Sequence, residues 1–466
     1  MMRFLNVFFC LLLASIQSVV ASENARPLQP LLGKLSEPSL AMVDAAFQGI
    51  VEGENIDFHV HVVGLGDTVT VFEDEMDANT VGECRASDFA GSPVYINERR
   101  FSFWRNPMLF AKTRFLMKAT GITQGLWDSL DRAAANNNYV NHLLGLVGNY
   151  RPRSDKPGKF LLLAMDGHYV DGVIDWAQTD IRVPNKYVIR LSDCMNRLYQ
   201  QRHRTHFSPF MPAISIHPER EDAVDALRMF STDSRYLKWL PNTMNINPAS
   251  GKIKVFLNEM KARDVTLVTH TGHEDATEAL EEHQRYGNPT LHQSALEHGM
   301  KVIMAHAGYK GSSFHHAHGE EHENSELFND MLESYPNNLK GGLSATVFVE
   351  HSNCAADLGY SCLGNTSPLA NQLKRILLDK DQRYAERMVY GSDYPLPSIG
   401  LLKPTRELMY RGFLSQEQAR LLNEIWGVNP LLYDFVLKRT IRHPENINKQ
   451  LPASMFDKPE WPILGF

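Results

Sequence analysis

Eight short apolar runs of strand character recur along this chain, separated by amphipathic stretches, and most of them carry a histidine or an aspartate at their C-terminal end. The runs are NIDFHVHV at 55–62, FLLLAMDGHY at 160–169, FMPAISIHP at 210–218 and YLKWLPN at 236–242. Then follow VTLVTHTGH at 265–273, KVIMAHAGY at 301–309, GGLSATVFV at 341–349 and MVYGSDYP at 388–395. Runs such as LLLAM are apolar at consecutive positions, the pattern of a strand buried on both faces of a parallel sheet. Helical patterns such as 223–230 and 369–379 lie between them. Eight strand–helix units predict an α/β protein, a closed (β/α)8 TIM barrel over 55–440. The stretch 63–159 holds helical patterns near 107–118 and 126–149 and predicts a large insertion over the barrel mouth. A polar, proline-containing lead-in at 22–54, with one helical stretch near 40–49, precedes the barrel. An irregular tail at 441–466 follows it and is expected to wrap the surface.

Composition narrows the class. The chain is 43% hydrophobic and 22% charged, enough apolar material for a sizeable core. With 47 Lys and Arg against 54 Asp and Glu, the net charge is −7, and no basic run suggests nucleic acid. At the N-terminus Arg3 is the only charge before Glu23, residues 4–20 are mostly apolar, and Val19 and Ala21 are small residues at −3 and −1 of a cleavage site. This predicts a signal peptide over 1–21, cleaved after Ala21, and a periplasmic or secreted protein. No later stretch is long and apolar enough to span a membrane, so the mature protein is expected to be soluble; the expected partner is a small-molecule substrate, with self-association left open. Four cysteines follow the cleavage site: Cys84, Cys194, Cys354 and Cys362. Cys354 and Cys362 share one loop and are the first candidates for a disulfide; packed free thiols are the alternative.

The chemistry lies at the strand ends. His59 and His61 are two apart, so on a regular strand they point to one side, the barrel interior. Paired imidazoles fill a core badly, because each needs a hydrogen-bond partner, but they suit zinc, which takes imidazole nitrogen at ~2.0–2.1 Å. On the same alternation Asp57 shares their face, where it would orient a ligand histidine or sit as a satisfied carboxylate. His270 ends the fifth strand, His306 the sixth and Asp393 the eighth. One such residue is ordinary; the set is hard to explain as packing.

At these residues the chain resembles the amidohydrolase superfamily of metal-dependent hydrolases, in the branch related to aminocarboxymuconate-semialdehyde decarboxylase. The resemblance rests on DFHVH, VTHTG, MAHAG and YGSDYP in that order, across about 55–435. It implies His59, His61 and His270 as metal ligands, His306 as a second-metal ligand or carbonyl polariser, and Asp393 as ligand and proton acceptor. It implies a divalent metal, with zinc the default and manganese or iron as alternatives. Lys238, at the end of the fourth strand, sets the count: carboxylated, it would bridge two ions. Otherwise it salt-bridges, snorkels or binds a substrate carboxylate, and one ion remains.

Weaker signals surround this set. Asp166 and His168 end the second strand and His217 the third, expected at the same mouth as substrate contacts or as structural hydrogen-bonding groups. His273 and Glu274 could line the site, Lys310 could meet a substrate carboxylate, and Trp239 an apolar portion. The histidine-rich FHHAHGEEHE at 314–323 reads as a solvated, mobile loop. Three functions compete: a hydrolase of amides, esters, lactones or C–C-linked dicarbonyls; a decarboxylase or hydratase on the same ligands; and a barrel that has lost catalysis. The hydrolase leads; the full ligand set argues against the retired barrel, whose site would be free to lose ligands, and the metal count at Lys238 divides hydrolase from lyase.

Overall fold

The computed structural model describes residues 31–62, 94–97, 132–274, 276–277, 279–308, 311–315, 320–344, 373–377, 383–400 and 403–457, with isolated residues at 99, 114, 117 and 118. The signal segment, Cys84, Cys354, Cys362, Lys310, His316, His318 and most of the insertion lie outside these residues.

All eight expected strands are present: β1 (Ile56–His61), β2 (Lys159–Leu163), β3 (Phe210–Ala213), β4 (Tyr236–Trp239), β5 (Thr266–His270), β6 (Val302–Ala305), β7 (Leu339–Leu343) and β8 (Met388–Tyr390). Every neighbouring pair among them is parallel. They form an arc of three, β1-β2-β3, and an arc of five, β4-β5-β6-β7-β8. Two short seams join the arcs. At one, Ile214 pairs with Leu237, the Ile214 amide donating to the Tyr236 carbonyl at 2.9 Å and the Lys238 amide to the Ile214 carbonyl at 2.7 Å. At the other, Val60 pairs with Tyr394, and the His61 amide donates to the Tyr394 carbonyl at 2.8 Å. The eight strands thus close into a barrel.

Strand alternation divides two cores. Ile56, Phe58, Leu161, Leu163, Ala213, Val268, Ile303 and Val389 fill the lumen. Phe160, Leu162, Leu237, Leu267, Met304 and their neighbours face the helices outside. Those helices include α1 (Glu37–Ala46), α2 (Arg132–Gly148), α3 (Asn185–His203), α4 (Ala223–Phe230), α5 (Lys254–Ala262), α6 (Asn324–Ser334), α7 (Gln416–Val428) and α8 (Pro430–Thr440). Their ends follow local rules. Ser36 caps α1, accepting from the Ser39 amide, and Ser415 with Gln418 forms a capping box on α7. Asn429 caps α8 ahead of Pro430, whose missing N–H costs nothing in the first turn. α2 lies in the expected insertion.

The tail does more than cross the surface. Leu451, Met455 and Phe456 are fully buried, and the Phe456 carbonyl accepts from the Ile56 amide at 2.7 Å, at the start of β1. The histidine-rich segment also differs from expectation: Ser312–His315 and Glu320–Glu323 pair as an antiparallel hairpin. Cross-strand backbone bonding organises a stretch whose composition alone reads as loop. Cys194 is disulfide-bonded.

Candidate metal centre

Alternation would put Asp57, His59 and His61 on one face, but β1 carries a bulge that changes this. Asp57 pairs with Phe160 and His61 with Leu163, and the register shifts between Asp57 and Val60. Phe160 belongs to the outer core and Leu163 to the lumen, so Asp57 faces outward while His59 and His61 face inward. One extra residue in a strand moves every later side chain to the other face. Asp57 therefore does not touch the imidazole rings. Its Oδ1 instead accepts the amides of His59 at 3.0 Å and Ser392 at 2.8 Å.

In the lumen three donors meet. The Nε2 atoms of His59 and His61 are 3.0 Å apart, and Asp393 Oδ1 lies 3.4 Å from the first and 3.3 Å from the second. Donors at ~2.0–2.1 Å from a tetrahedral ion stand about 3.3 Å from one another, so this triangle has the edge lengths a metal requires. The protonation states fit as well. Burial, with the Lys238 ammonium beside it, lowers the His59 pKa well below its usual value, so the ring is neutral. Burial pushes Asp393 upward, but the imidazoles of His59, His61 and His306 outweigh it and hold the carboxylate ionised. Neutral imidazole and ionised carboxylate are the ligand forms.

The other two predicted ligands border the triangle. The His306 ring lies 5.1 Å from that of His59 and 4.5 Å from that of His270, centroid to centroid. His306 Nδ1 is 3.7 Å from Asp393 Oδ2 and 2.5 Å from Ser344 Oγ, at the end of β7. His270 Nδ1 is 3.4 Å from Glu274, while its buried Nε2 has no hydrogen-bond partner. That nitrogen, buried in the same lumen, is placed to serve as a ligand beside the triangle. Lys238 pairs in register with Val268, a lumen residue, and its Nζ reaches 3.3 Å from His59 Nε2. Burial lowers this lysine to about 8.

No family model and no curated protein matches the chain. Among solved structures it is similar to an uncharacterized TIM-barrel protein from Bordetella bronchiseptica, at 12% identity over 80% of this chain and 99% of that one, with a TM-score of 0.40. A probable 2-pyrone-4,6-dicarboxylic acid hydrolase from Acinetobacter baumannii overlaps at 11% identity, 80% and 99% coverage and a TM-score of 0.37. For 5-carboxyvanillate decarboxylase from Sphingomonas paucimobilis the values are 13%, 76%, 92% and 0.35. Overlaps this loose leave the barrel to rest on its own strand pairing and the chemistry on its own side chains.

Left-handed backbone marks the rim. His306, Ala307 and Asp393 have φ of 68°, 50° and 58°, costing about 1–3 kcal/mol each in non-glycine residues. The first turn is held by Thr271, whose hydroxyl donates to the Ala305 carbonyl at 2.8 Å and accepts the Gly308 amide at 3.1 Å. Gly391 lets β8 approach β1, since a Cβ there would stand 2.9 Å from the His59 Cβ.

The weaker candidates separate. Trp239 faces outward: it is fully buried, donates Nε1–H to the Ile216 carbonyl at 2.9 Å and stacks on Phe256 of α5, so it cannot meet a substrate. The strand alternation that aims Lys238 inward necessarily turns Trp239 away. Asp166 is buried beneath Arg182 at 3.0 Å and Arg220 at 2.8 Å, a rim clamp rather than an open acceptor. His217 stacks on Tyr169 and accepts the Glu219 amide; His168 stacks on His283; His273 is half-buried beside Gly311. Sequence reasoning missed Ser344 and Tyr139, whose hydroxyl donates to the His61 carbonyl from α2. Neither sits in a recognisable motif; each matters only through a partner distant in the chain.

Proposed function

We propose that this protein is a metal-dependent hydrolase of the amidohydrolase type, acting on a small carbonyl substrate: an amide, ester, lactone or C–C-linked dicarbonyl. The observation that carries this reading is the triangle of His59, His61 and Asp393, with edges of 3.0, 3.3 and 3.4 Å. Those three residues would hold the ion, with His270 and His306 beside it. Zinc suits a set of imidazoles and one carboxylate best. A divalent cation bound there supplies Lewis acidity and lowers the pKa of its water to ~7.

The chain supplies the rest. Asp393 accepts the proton of the attacking water and returns it to the leaving group, a role worth about 10²–10⁴-fold in rate. His306, kept neutral by burial, donates a hydrogen bond to the oxyanion that develops on the substrate carbonyl. Glu274, buried and 3.4 Å from His270 Nδ1, fixes the tautomer that leaves Nε2 as a lone-pair donor.

Lys238 favours hydrolysis over decarboxylation in this reading. It is 1% exposed and lies against His59, too deep to hold the carboxylate of a substrate at the mouth. With its pKa near 8, an appreciable share is neutral amine, which can add to CO2 with release of one proton; the resulting carbamate would offer oxygen ligands to metal beside His59. We also propose an exported mature protein, cleaved after Ala21; a disulfide at Cys194 is consistent with an oxidising compartment.

Elemental analysis of the mature protein, followed by a screen of lactones, amides and aromatic carboxylates, tests this. The expected result is bound metal, two ions per chain if Lys238 is carboxylated, and hydrolysis of at least one class. Asp393→Asn should lower kcat by about 10²–10⁴-fold with the fold retained. Wild-type turnover in that variant, or a metal-free active enzyme, would remove the reading.

A further inference from the structure

A second polar cluster lies behind the metal centre, on the opposite side of the barrel wall. Asp57, Asp434 and Lys438 are 1%, 2% and 0% exposed, the last two on α8. Lys438 Nζ donates to Asp434 Oδ2 at 2.6 Å and to the Gly391 carbonyl at 2.8 Å, and rests 4.8 Å from the centre of the Tyr390 ring. Asp57 Oδ1 accepts the amides of His59 and Ser392. Charged groups this deep are costly, and one acceptor and one donor of the cluster are aimed at the backbone next to Asp393.

From this geometry we infer that Asp57 and Lys438 are positioning residues for the metal centre, clamping the bulge of β1 to the Gly391–Ser392 segment so that His59 and Asp393 converge. The inference rests on the metal-centre reading above.

The bulge leaves His59 outside the regular ladder, because the register breaks between Asp57 and Val60. Asp393, with φ of 58°, needs its neighbours fixed to stay in the left-handed region. A single carboxylate oxygen bonded to amides of both segments, which are 335 and 2 residues away in sequence, sets their separation directly. Lys438 holds the same segment by its other polar face, the Gly391 carbonyl. Charge-assisted bonds to backbone are stronger than neutral ones, and burial shields them from water. Neither side chain reaches the lumen, so neither touches the reacting atoms.

The test uses the full mature chain. Zn2+ affinity is measured by competition with a chelator, and the visible spectrum of the Co2+-loaded protein reports ligand geometry. Asp57→Ala should weaken binding about 10- to 100-fold and shift the cobalt spectrum. Asp57→Asn keeps an acceptor oxygen and should stay close to wild type. The paired change Asp434→Leu with Lys438→Met removes both charges together, leaves Asp57 in place, and should also weaken binding and shift the spectrum. If Asp57→Ala fails to fold, this double variant decides. Wild-type affinity and spectrum in Asp57→Ala or in the double variant overturn the clamp, as do equal losses in Asp57→Ala and Asp57→Asn. A wild-type chain that takes up no metal would instead overturn the metal-centre reading and this inference with it.

Discussion

At the scale of single residues, the site depends on close approach. His59 comes within hydrogen-bonding range of His61, Asp393 and Lys238 only because β8 passes next to β1, and Gly391 is the residue that lets it pass. Gly391→Ala would place a methyl group 2.9 Å from the His59 Cβ, in a wall with no room to yield. Overpacking of this kind costs about 1–3 kcal/mol. We expect a melting temperature several degrees lower, and metal binding impaired beyond what the stability loss predicts, because the displaced atom belongs to a ligand. Chemical denaturation with metal titration checks both; unchanged affinity would show that His59 is held elsewhere. Residue identity was readable for most of this set. His59, His61, His270, His306, Asp393 and Lys238 each stand where a strand pattern ends, and they do converge in the lumen. Ser344 and Tyr139 carried no such mark, since a serine after a glycine-rich strand and a tyrosine in a helix are ordinary until their partners are known.

Elements show where local reading succeeds and where it stops. Every barrel strand was legible, because consecutive apolar residues bounded by glycine, proline or polar residues have few other uses. The bulge in β1 was not. DFHVH alternates cleanly, and nothing in it tells that the register slips before His59 and turns Asp57 outward. Slippage is decided by the neighbours: Phe160 and Leu163 on β2, and the amide of Ser392 from the far end of the barrel. The tail is a similar case. Its irregular composition reads as surface, yet Phe456 packs on Phe435 at 5.1 Å and Tyr390 at 5.2 Å. Phe456→Ala should cost about 3–5 kcal/mol, the usual range for emptying a fully buried aromatic site. Equilibrium unfolding measures this, and a loss below 1 kcal/mol would mean that the tail is not part of the core. Because Phe456 sits outside the barrel, the folded fraction should bind metal as wild type does.

For the whole molecule, burial of titratable groups sets a pH dependence. In the metal-free protein, burial lowers His142 and His217 to about 4 and His292 to about 3, and drives His59 and His306 well down. The unfolded chain then binds more protons than the native one as pH falls below 6.5, so these groups withdraw stability from 6.5 down to about 4. Asp57, raised by burial to about 7, and Asp434, raised to about 6, act in the opposite sense. Five histidines outweigh two carboxylates, so melting temperature in chelator should drop steadily over that window; a flat or rising profile would contradict the burial of these rings. What the sequence determined by itself was the barrel class, the order of its strands and the residue types at their ends, because periodicity and composition are local properties. The direction each side chain took was settled only in three dimensions. Lys238 went inward and Trp239 outward, Asp57 became a strut behind the wall, and Asp166 was taken by two arginines. Those outcomes turn on register and on partners tens to hundreds of residues away, and a chain pattern carries no information about either until the barrel closes.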